Sequence, residues 1–361
     1  MLSVALYLAD QNPHRDRSLG IPRATGAIAD ALAGRVALHQ ITSASSLALG
    51  AADATTRIPL RTDRAAGRAF VDALHPALVR PPADVWFYPK GFLSPILRPA
   101  APTLALVHDT ILVHYRRRYP EARSTAAYAY WVGLLRRTLA RADRVATVSE
   151  TARAQILAYC DDEGLRPPPV DVIYAATPFA DVEPTSPAGP PYALHLASAA
   201  PHKRTRWLLE AWDTLRTSRD LPELLLVGGL DDEAAALAER LPGVRRSGRV
   251  SDAQLAELLR GASAVLVPSE IEGFGLPVLE AYASGTPVCV TAGTSLDEVL
   301  RVGTDRGLFS LDDPTTLGDA LDDVRTMTPD TIREVQQALR ERFSPEALGD
   351  RVEAALRATA A

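Results

Sequence analysis

Short apolar runs alternate with amphipathic helical patterns along nearly the whole chain, and this rhythm limits the fold more than any other feature. Candidate strands fall at residues 3–8, 36–41, 84–88, 103–107, 144–148 and 171–174, then at 192–197, 224–227, 264–268 and 286–291. Helical patterns fill the gaps, among them 24–33, 122–140, 150–159, 206–215, 252–259 and 277–284. Such alternation predicts an α/β fold in which parallel sheets are covered by helices on both faces. Between Ala176 and Pro191 the sequence is rich in Pro, Ala and small polar residues and has no period. It reads as a linker dividing the chain into two doubly wound halves, residues 1–178 and 179–344. A terminal helix follows at 345–361. At 361 residues the chain is long enough for two cores. Ligands of such sheets bind beyond the C-terminal strand ends, so the expected site is the cleft between the halves.

One junction carries more chemistry than the rest: Glu272-Gly-Phe-Gly-Leu-Pro-Val-Leu-Glu280. A buried strand precedes it, Pro277 suits a first helical position, and Gly285 suits the residue just past a helix end. A strand, a glycine loop and a helix N-terminus together form an anion site, because backbone N–H groups and the positive end of the dipole face the ligand. Glu272 lies in the loop, placed to accept hydrogen bonds from ligand hydroxyls. Glu280 falls in the first helical turn or just beyond it. Read singly, the two acids are a solvated loop residue and a helix cap; read with the whole string, they form a binding element.

Lysine is rare here. Of 39 basic residues only Lys90 and Lys203 are lysine, so a lysine that persists points to a site needing a compact ammonium. Lys203 lies in Leu196-Ala-Ser198-Ala-Ala-Pro-His-Lys203-Arg204, a polar turn between a strand and a helix, where it can hold a phosphate or simply be an exposed loop lysine. Lys90 has no comparable context. Gly20-Ile-Pro-Arg23 reads either as a phosphate-facing loop or as a helix entrance with Pro in its first turn. His108, with Asp109 at the end of the strand at 103–107, reads either as a hydrogen-bonding or proton-transfer group or as a histidine bonded to backbone.

The net charge of −5 and the absence of a basic stripe interleaved with aromatics argue against nucleic-acid binding. Cys160 and Cys289 read as small apolar fillers rather than a disulfide or metal pair. The N-terminus reads as a first strand rather than a leader, and no apolar run is long enough to span a membrane, so a cytoplasmic location is expected. Arginines at 116–118, 123, 136, 137, 141 and 144 read as solvated helix faces, with contact to a membrane or an anionic acceptor as the alternative.

The stretch Ser247 to Thr291, SGRVSDAQLAELLRGASAVLVPSEIEGFGLPVLEAYASGTPVCVT, resembles the donor-binding core of retaining glycosyltransferases of family 4, whose fold, called GT-B, has two Rossmann-like domains. GIPR near the start, LVHD at 106–109, RADRVATVSETARAQIL at 141–157 and PHKRTRWLLEAW at 201–212 add weaker similarity in the family's order. The resemblance implies transfer of a hexosyl group from a UDP- or GDP-linked sugar to a hydroxyl acceptor, such as a polysaccharide, glycolipid or natural-product aglycone. It implies an acceptor-binding first half, a donor-binding second half, and a terminal helix packed back on the first. Glu272 and His108 would act on the transferred sugar. Gly20, Ser198, Lys203, Gly273, Phe274, Gly275 and Leu276 would contact the diphosphate or sugar, and Glu280 the ribose. No cofactor is implied beyond the sugar nucleotide as co-substrate. The chain has no Asp-x-Asp pair, the metal-chelating motif of the other main transferase fold, so catalysis is expected to be metal-independent.

Three departures from the family pattern stand out. Pro22 replaces a glycine and removes a backbone donor. His202 and Arg204 flank the lysine in place of Arg and Asn, and VIYAATPF at 172–179 replaces a Pro-Asn-Gly turn. A nicotinamide dehydrogenase would need G-x-G-x-x-G after the first strand, and the chain has no glycine there until Gly20. A sugar-nucleotide epimerase and a catalytically silent nucleotide-sugar-binding subunit share the fold and are the alternatives.

Overall fold

The computed structural model describes residues 1–11, 20–176 and 190–361. Most of the expected linker, with the last three residues of VIYAATPF, therefore lies outside the described residues. The chain divides into two compact units: Met1–Ala176 with Phe343–Ala361, and Thr177–Arg342.

The first unit is built on a parallel sheet of β1 (Ser3–Tyr7), β2 (Ala37–Ser43), β3 (Ala54–Ile58), β4 (Val85–Tyr88), β5 (Thr103–Leu106), β6 (Arg144–Thr147) and β7 (Val170–Val172). Their order is β3-β2-β1-β4-β5-β6-β7. The central strands are mostly apolar, with Val4, Ala5, Leu6 and Tyr7 all at most 1% exposed, because helices cover both faces. The second unit has a parallel sheet of β8 (Tyr192–Ala197), β9 (Glu223–Gly228), β10 (Val244–Gly248), β11 (Ala264–Val267), β12 (Val288–Thr291) and β13 (Leu308–Phe309), in the order β10-β9-β8-β11-β12-β13. In each sheet the strand order reverses once, between β1 and β4 and between β8 and β11. Those reversals are where loops splay to opposite sides and leave a crevice.

The terminal helix Pro345–Ala360 belongs to the first unit. Ser344 caps it by accepting from the Ala347 N–H (3.0 Å), and Pro345 occupies the first turn. Leu348, Val352 and Leu356 form one buried stripe, each worth about 1.5–3 kcal/mol of apolar burial. Gly349 lets the helix lie against Gly20–Ala31, since a Cβ there would meet the Ala31 carbonyl oxygen at 2.7 Å. Arg35 pairs with Asp350 beside that contact.

Both cysteines are buried and free. Among the described residues no helix is long and apolar enough to cross a membrane. Of the arginines between 116 and 144, Arg117, Arg136 and Arg144 pair with Asp162, Glu163 and Asp171.

Candidate functional site

In the second unit, β8 and β11 lie side by side at the strand-order reversal, so the loops that follow them leave the sheet together. After β8 the chain makes a single turn at Pro201–Lys203, with the Lys203 N–H donating to the Ala200 carbonyl (3.0 Å). Arg204 then takes a left-handed conformation (φ 52°) and the helix Thr205–Leu215 begins. Buried His195 fixes this start. Its Nδ1–H donates to the Leu266 carbonyl (2.8 Å), leaving Nε2 to accept from the Thr205 hydroxyl (2.9 Å). Burial pushes His195 down to about 4, against the bond to Leu266, so it stays neutral.

After β11 the loop runs to Gly275, the N-cap of the helix Leu276–Ala283. Gly275 has φ 141°, ψ 35°, a conformation closed to other residues, and an added Cβ would press on Val299 at 3.3 Å. Phe274 is buried and anchors the loop. The helix ends at Gly285 (φ 78°), where the Gly285 N–H donates to Tyr282 (2.9 Å) and the Thr286 N–H to Ala281 (3.0 Å), a Schellman closure. At the entrance Pro277 has no N–H, and Val278 donates back to Gly275 (2.9 Å). Ligand-directed backbone donors must therefore come from the loop and Leu276.

The two loops are joined in two ways. The Glu270 N–H donates to the His202 carbonyl (3.0 Å), and Arg204 lies 3.5 Å from the Glu270 carboxylate. Across this joint the Lys203 ammonium pairs directly with Glu272, both side chains being largely buried. The Ser295 hydroxyl, donating to the Glu272 carbonyl (3.0 Å), holds the acid's backbone from behind. Burial works to raise the Glu272 carboxyl. The charge and hydrogen bond of Lys203, with His202 nearby, more than offset it and leave the carboxyl below its ordinary value. The Glu272 carboxyl is thus ionised at neutral pH. A ligand carrying both an anion and hydroxyls can engage each member: its anion draws the ammonium, and its hydroxyls donate to the carboxylate.

Ser198 follows β8 directly, its hydroxyl accepting from the Ala200 N–H (3.2 Å). Glu280 is the fifth residue of its helix and half-buried. The second unit therefore gathers Ser198, Lys203, Glu272 and the Gly273–Leu276 segment around one reversal.

Gly20 and His108 belong to the first unit. Gly20-Ile-Pro-Arg23 is the opening turn of the helix Gly20–Ala31, so the loop reading gives way to the helix entrance. His108, after β5, donates through Nε2 to the Pro89 carbonyl (2.7 Å). Burial lowers its pKa, against that bond, so the ring is neutral with Nδ1 as its acceptor nitrogen.

Sequence reasoning missed Ser295, Glu270 and the context of Lys90. Lys90 lies in Tyr88-Pro-Lys-Gly91, a turn closed by the Gly91 N–H donating to Tyr88 (3.0 Å). Proline at its second position and glycine at its fourth suit that turn. Its ammonium donates to the main-chain oxygen of Asp10 (3.0 Å), directly across the first sheet's own reversal. Both lysines of the chain thus stand at strand-order reversals, and lysine rarity was the available signal.

Residues 190–326, less than half of the chain, match the family model described as glycosyl transferases group 1, and the match spans Ser198, Lys203 and Glu272 to Glu280. This region is a glycosyl transferases group 1 domain. The chain has curated relatives in several bacteria. O-antigen chain mannosyltransferase B of Escherichia coli is 35% identical over 156 residues, 41% of this chain and 39% of that protein. The MMP alpha-(1->4)-mannosyltransferase of Mycolicibacterium hassiacum is 40% identical over 113 residues, 29% of this chain and 27% of that protein. The chain thus spans about two fifths or less of the length of these two relatives.

Solved structures match nearly end to end. Sucrose-phosphate synthase from Thermosynechococcus elongatus gives a TM-score of 0.71 at 20% identity, covering 99% of both chains. Anabaena Alr3699/HepE in complex with UDP and glucose gives 0.68 at 16% identity, covering 99% of this chain and 100% of that one. At such identities the likeness establishes the fold: two Rossmann-like units of the GT-B class, the second holding the glycosyl transferases group 1 domain.

Proposed function

We propose that this chain is a retaining, metal-independent glycosyltransferase that moves a hexosyl group from a nucleoside diphosphate sugar to a hydroxyl acceptor. The observation that carries this reading is the Lys203–Glu272 pair, set at a strand-order reversal beside a glycine-capped helix entrance inside the group 1 domain. Lys203 would stabilise the departing diphosphate, together with the N–H groups of the glycine loop. Glu272 would hold sugar hydroxyls and face the positive charge that develops at the anomeric carbon. Glu280 would take the ribose hydroxyls, Ser198 a phosphate oxygen, and the backbone from Gly273 to Leu276 the sugar and diphosphate. Gly20 and His108 would contribute from the first unit, His108 through Nδ1.

Breaking the sugar–diphosphate bond builds charge on the leaving group, so a fixed ammonium favours the transition state over the substrate. A charge-assisted hydrogen bond is worth roughly 1.5–3 kcal/mol, which sets the loss from removing Lys203 at about one to two powers of ten in rate. The names of the relatives make mannose the first sugar to test. Thermal-shift measurements against UDP, GDP, dTDP and their sugars test the reading: one nucleotide should stabilise the wild type and Glu272→Ala alike, with transfer lost only in the variant. Stabilisation by none of them would contradict it.

A further inference from the structure

The first sheet's reversal carries a second constellation that the proposed transfer chemistry leaves unused. Asp10 follows β1 and Lys90 follows β4, the two strands between which the order turns back. Gly91 is required there, because at φ 79° an added Cβ would meet the Leu106 carbonyl oxygen at 2.6 Å, so the turn holds Lys90 in a fixed position. The ammonium donates to the main-chain oxygen of Asp10. The Asp10 side chain is only 6% exposed, yet its Oδ1 accepts no hydrogen bond from the described residues. A buried carboxylate oxygen without a donor costs about 1–3 kcal/mol or more, and native structures rarely leave one unexplained.

The surroundings say which donor would suit it. Asp72, from the helix Ala65–Leu78, sits close by and accepts from Tyr130 (3.1 Å) and Tyr7 (3.4 Å). Among the described residues Lys90 and Arg68 face the two carboxylates, and a phosphate would meet Asp10 and Asp72. Tyr130, partly exposed, packs edge-on to Trp131 (5.0 Å), which in turn lies against Phe92 (5.3 Å), two residues beyond Lys90. A carboxylate oxygen wanting an O–H, beside an aromatic surface, suits a sugar or a similar polyol.

We propose that the Asp10–Lys90 junction is a ligand site within the first unit, taking an uncharged, hydroxyl-rich molecule that donates to the Asp10 carboxylate. That this ligand is the acceptor rests on the transferase reading; that a polyol binds here does not. Burial pushes the Asp10 carboxyl up to about 7, with Asp72 raising it and Lys90 and Arg68 opposing. Tyr7, Tyr88 and Tyr130 are the other titratable groups facing it among the described residues. Binding that needs the carboxylate should therefore strengthen as pH rises through neutrality.

Saturation-transfer NMR on the full chain, without nucleotide, tests this with methyl α-D-mannopyranoside as the probe and inorganic phosphate as competitor. At pH 8 the glycoside should bind and phosphate should not displace it. Asp10→Asn should weaken binding about tenfold, the loss of one charge-assisted hydrogen bond. Wild-type binding should weaken as pH falls from 8 to 6, while that of Asp10→Asn stays level; if the variant does not fold, the wild-type pH dependence decides. Equal binding by the variant, no binding at either pH, or displacement by phosphate would overturn the proposal. Bound glycoside without transfer from any sugar nucleotide would instead sink the transferase reading and leave this site standing.

Discussion

At the reversal of the first sheet Lys90 reaches across to Asp10, and at that of the second Lys203 reaches across to Glu272. The parts match: one ammonium, one acid, two adjacent loops. The hydrogen bonding differs. Lys203 grips a carboxylate, and the Glu272 carboxyl falls below its ordinary value despite burial. Lys90 grips a main-chain oxygen, and the Asp10 carboxyl rises to about 7. Two buried acids beside two lysines thus shift in opposite directions: at Glu272 the charge and hydrogen bond of Lys203 outweigh burial, whereas at Asp10 burial prevails and Asp72 adds to it. The second site is poised with both charges present for an anionic, hydroxylated ligand. The first keeps an acid whose charge is set by pH.

The largest effect expected from breaking this contrast is on Glu272. Glu272→Gln should lower transfer by about 10²–10³-fold, the range seen when one transition-state contact is removed, while nucleotide affinity stays within a few-fold. A proportional loss of nucleotide affinity would make Glu272 a binding residue only. Removing the other partner sharpens the contrast: in Lys203→Met, desolvation acts on Glu272 without the offsetting ammonium. Its carboxyl should then rise above the ordinary value, as Asp10 does, and carboxyl NMR titration reads this directly.

Next in size is a pH effect shared by both units. His75 in the first and His195 in the second are buried and pushed down to about 4 from an ordinary 6.5. Unfolded, each takes up a proton below 6.5; folded, each resists until about 4. Stability is therefore present above pH 6.5 and lost as pH falls towards 4, by about 3 kcal/mol per histidine. Denaturant melts between pH 7 and 4 should show it, with a smaller slope in His195→Gln. An unchanged slope would contradict burial as the cause.

Smaller changes are expected at the glycines that place the two lysine–acid loops. Gly91→Ala and Gly275→Ala should each cost at least about 1–2 kcal/mol from the positive-φ backbone, with the clash on the Leu106 carbonyl added at Gly91, measured as a fall in denaturation midpoint. Smallest of all, Arg206→Ala removes an exposed pair with Glu233 and should change stability by less than about 0.5 kcal/mol.

Legibility in the sequence followed burial. β1, β4, β5, β6, β8, β9, β11 and β12 appear as apolar runs because both their faces are covered. β3, β10 and β13 were not foreseen, and each is the outermost strand at an edge, where Ala-Thr-Thr-Arg-Ile or Val-Arg-Arg-Ser-Gly suffices. The helix opening at Gly20 also starts four residues earlier than its apolar pattern at Ala24 indicates. At the site, glycine and proline made the Glu272 loop readable, since local backbone geometry dictates those residues. The bond from Ser295 to Glu272 and the joint between Glu270 and His202 are contacts across sequence, which no local pattern encodes. Lys90 carried the same signal of rarity as Lys203, but its bond to Asp10, like that of Lys203 to Glu272, crosses the sequence and leaves no local pattern.

Whether Lys203 and Glu272 jointly hold a sugar nucleotide can be read from a double-mutant cycle on its affinity, with Lys203→Met and Glu272→Gln measured by calorimetry against the sugar nucleotide that stabilises the wild type. Clearly non-additive losses are expected, with a coupling above about 0.5 kcal/mol, because one ligand engages both ends of the pair. Additive losses, or variants that bind the sugar nucleotide as the wild type does, would contradict it.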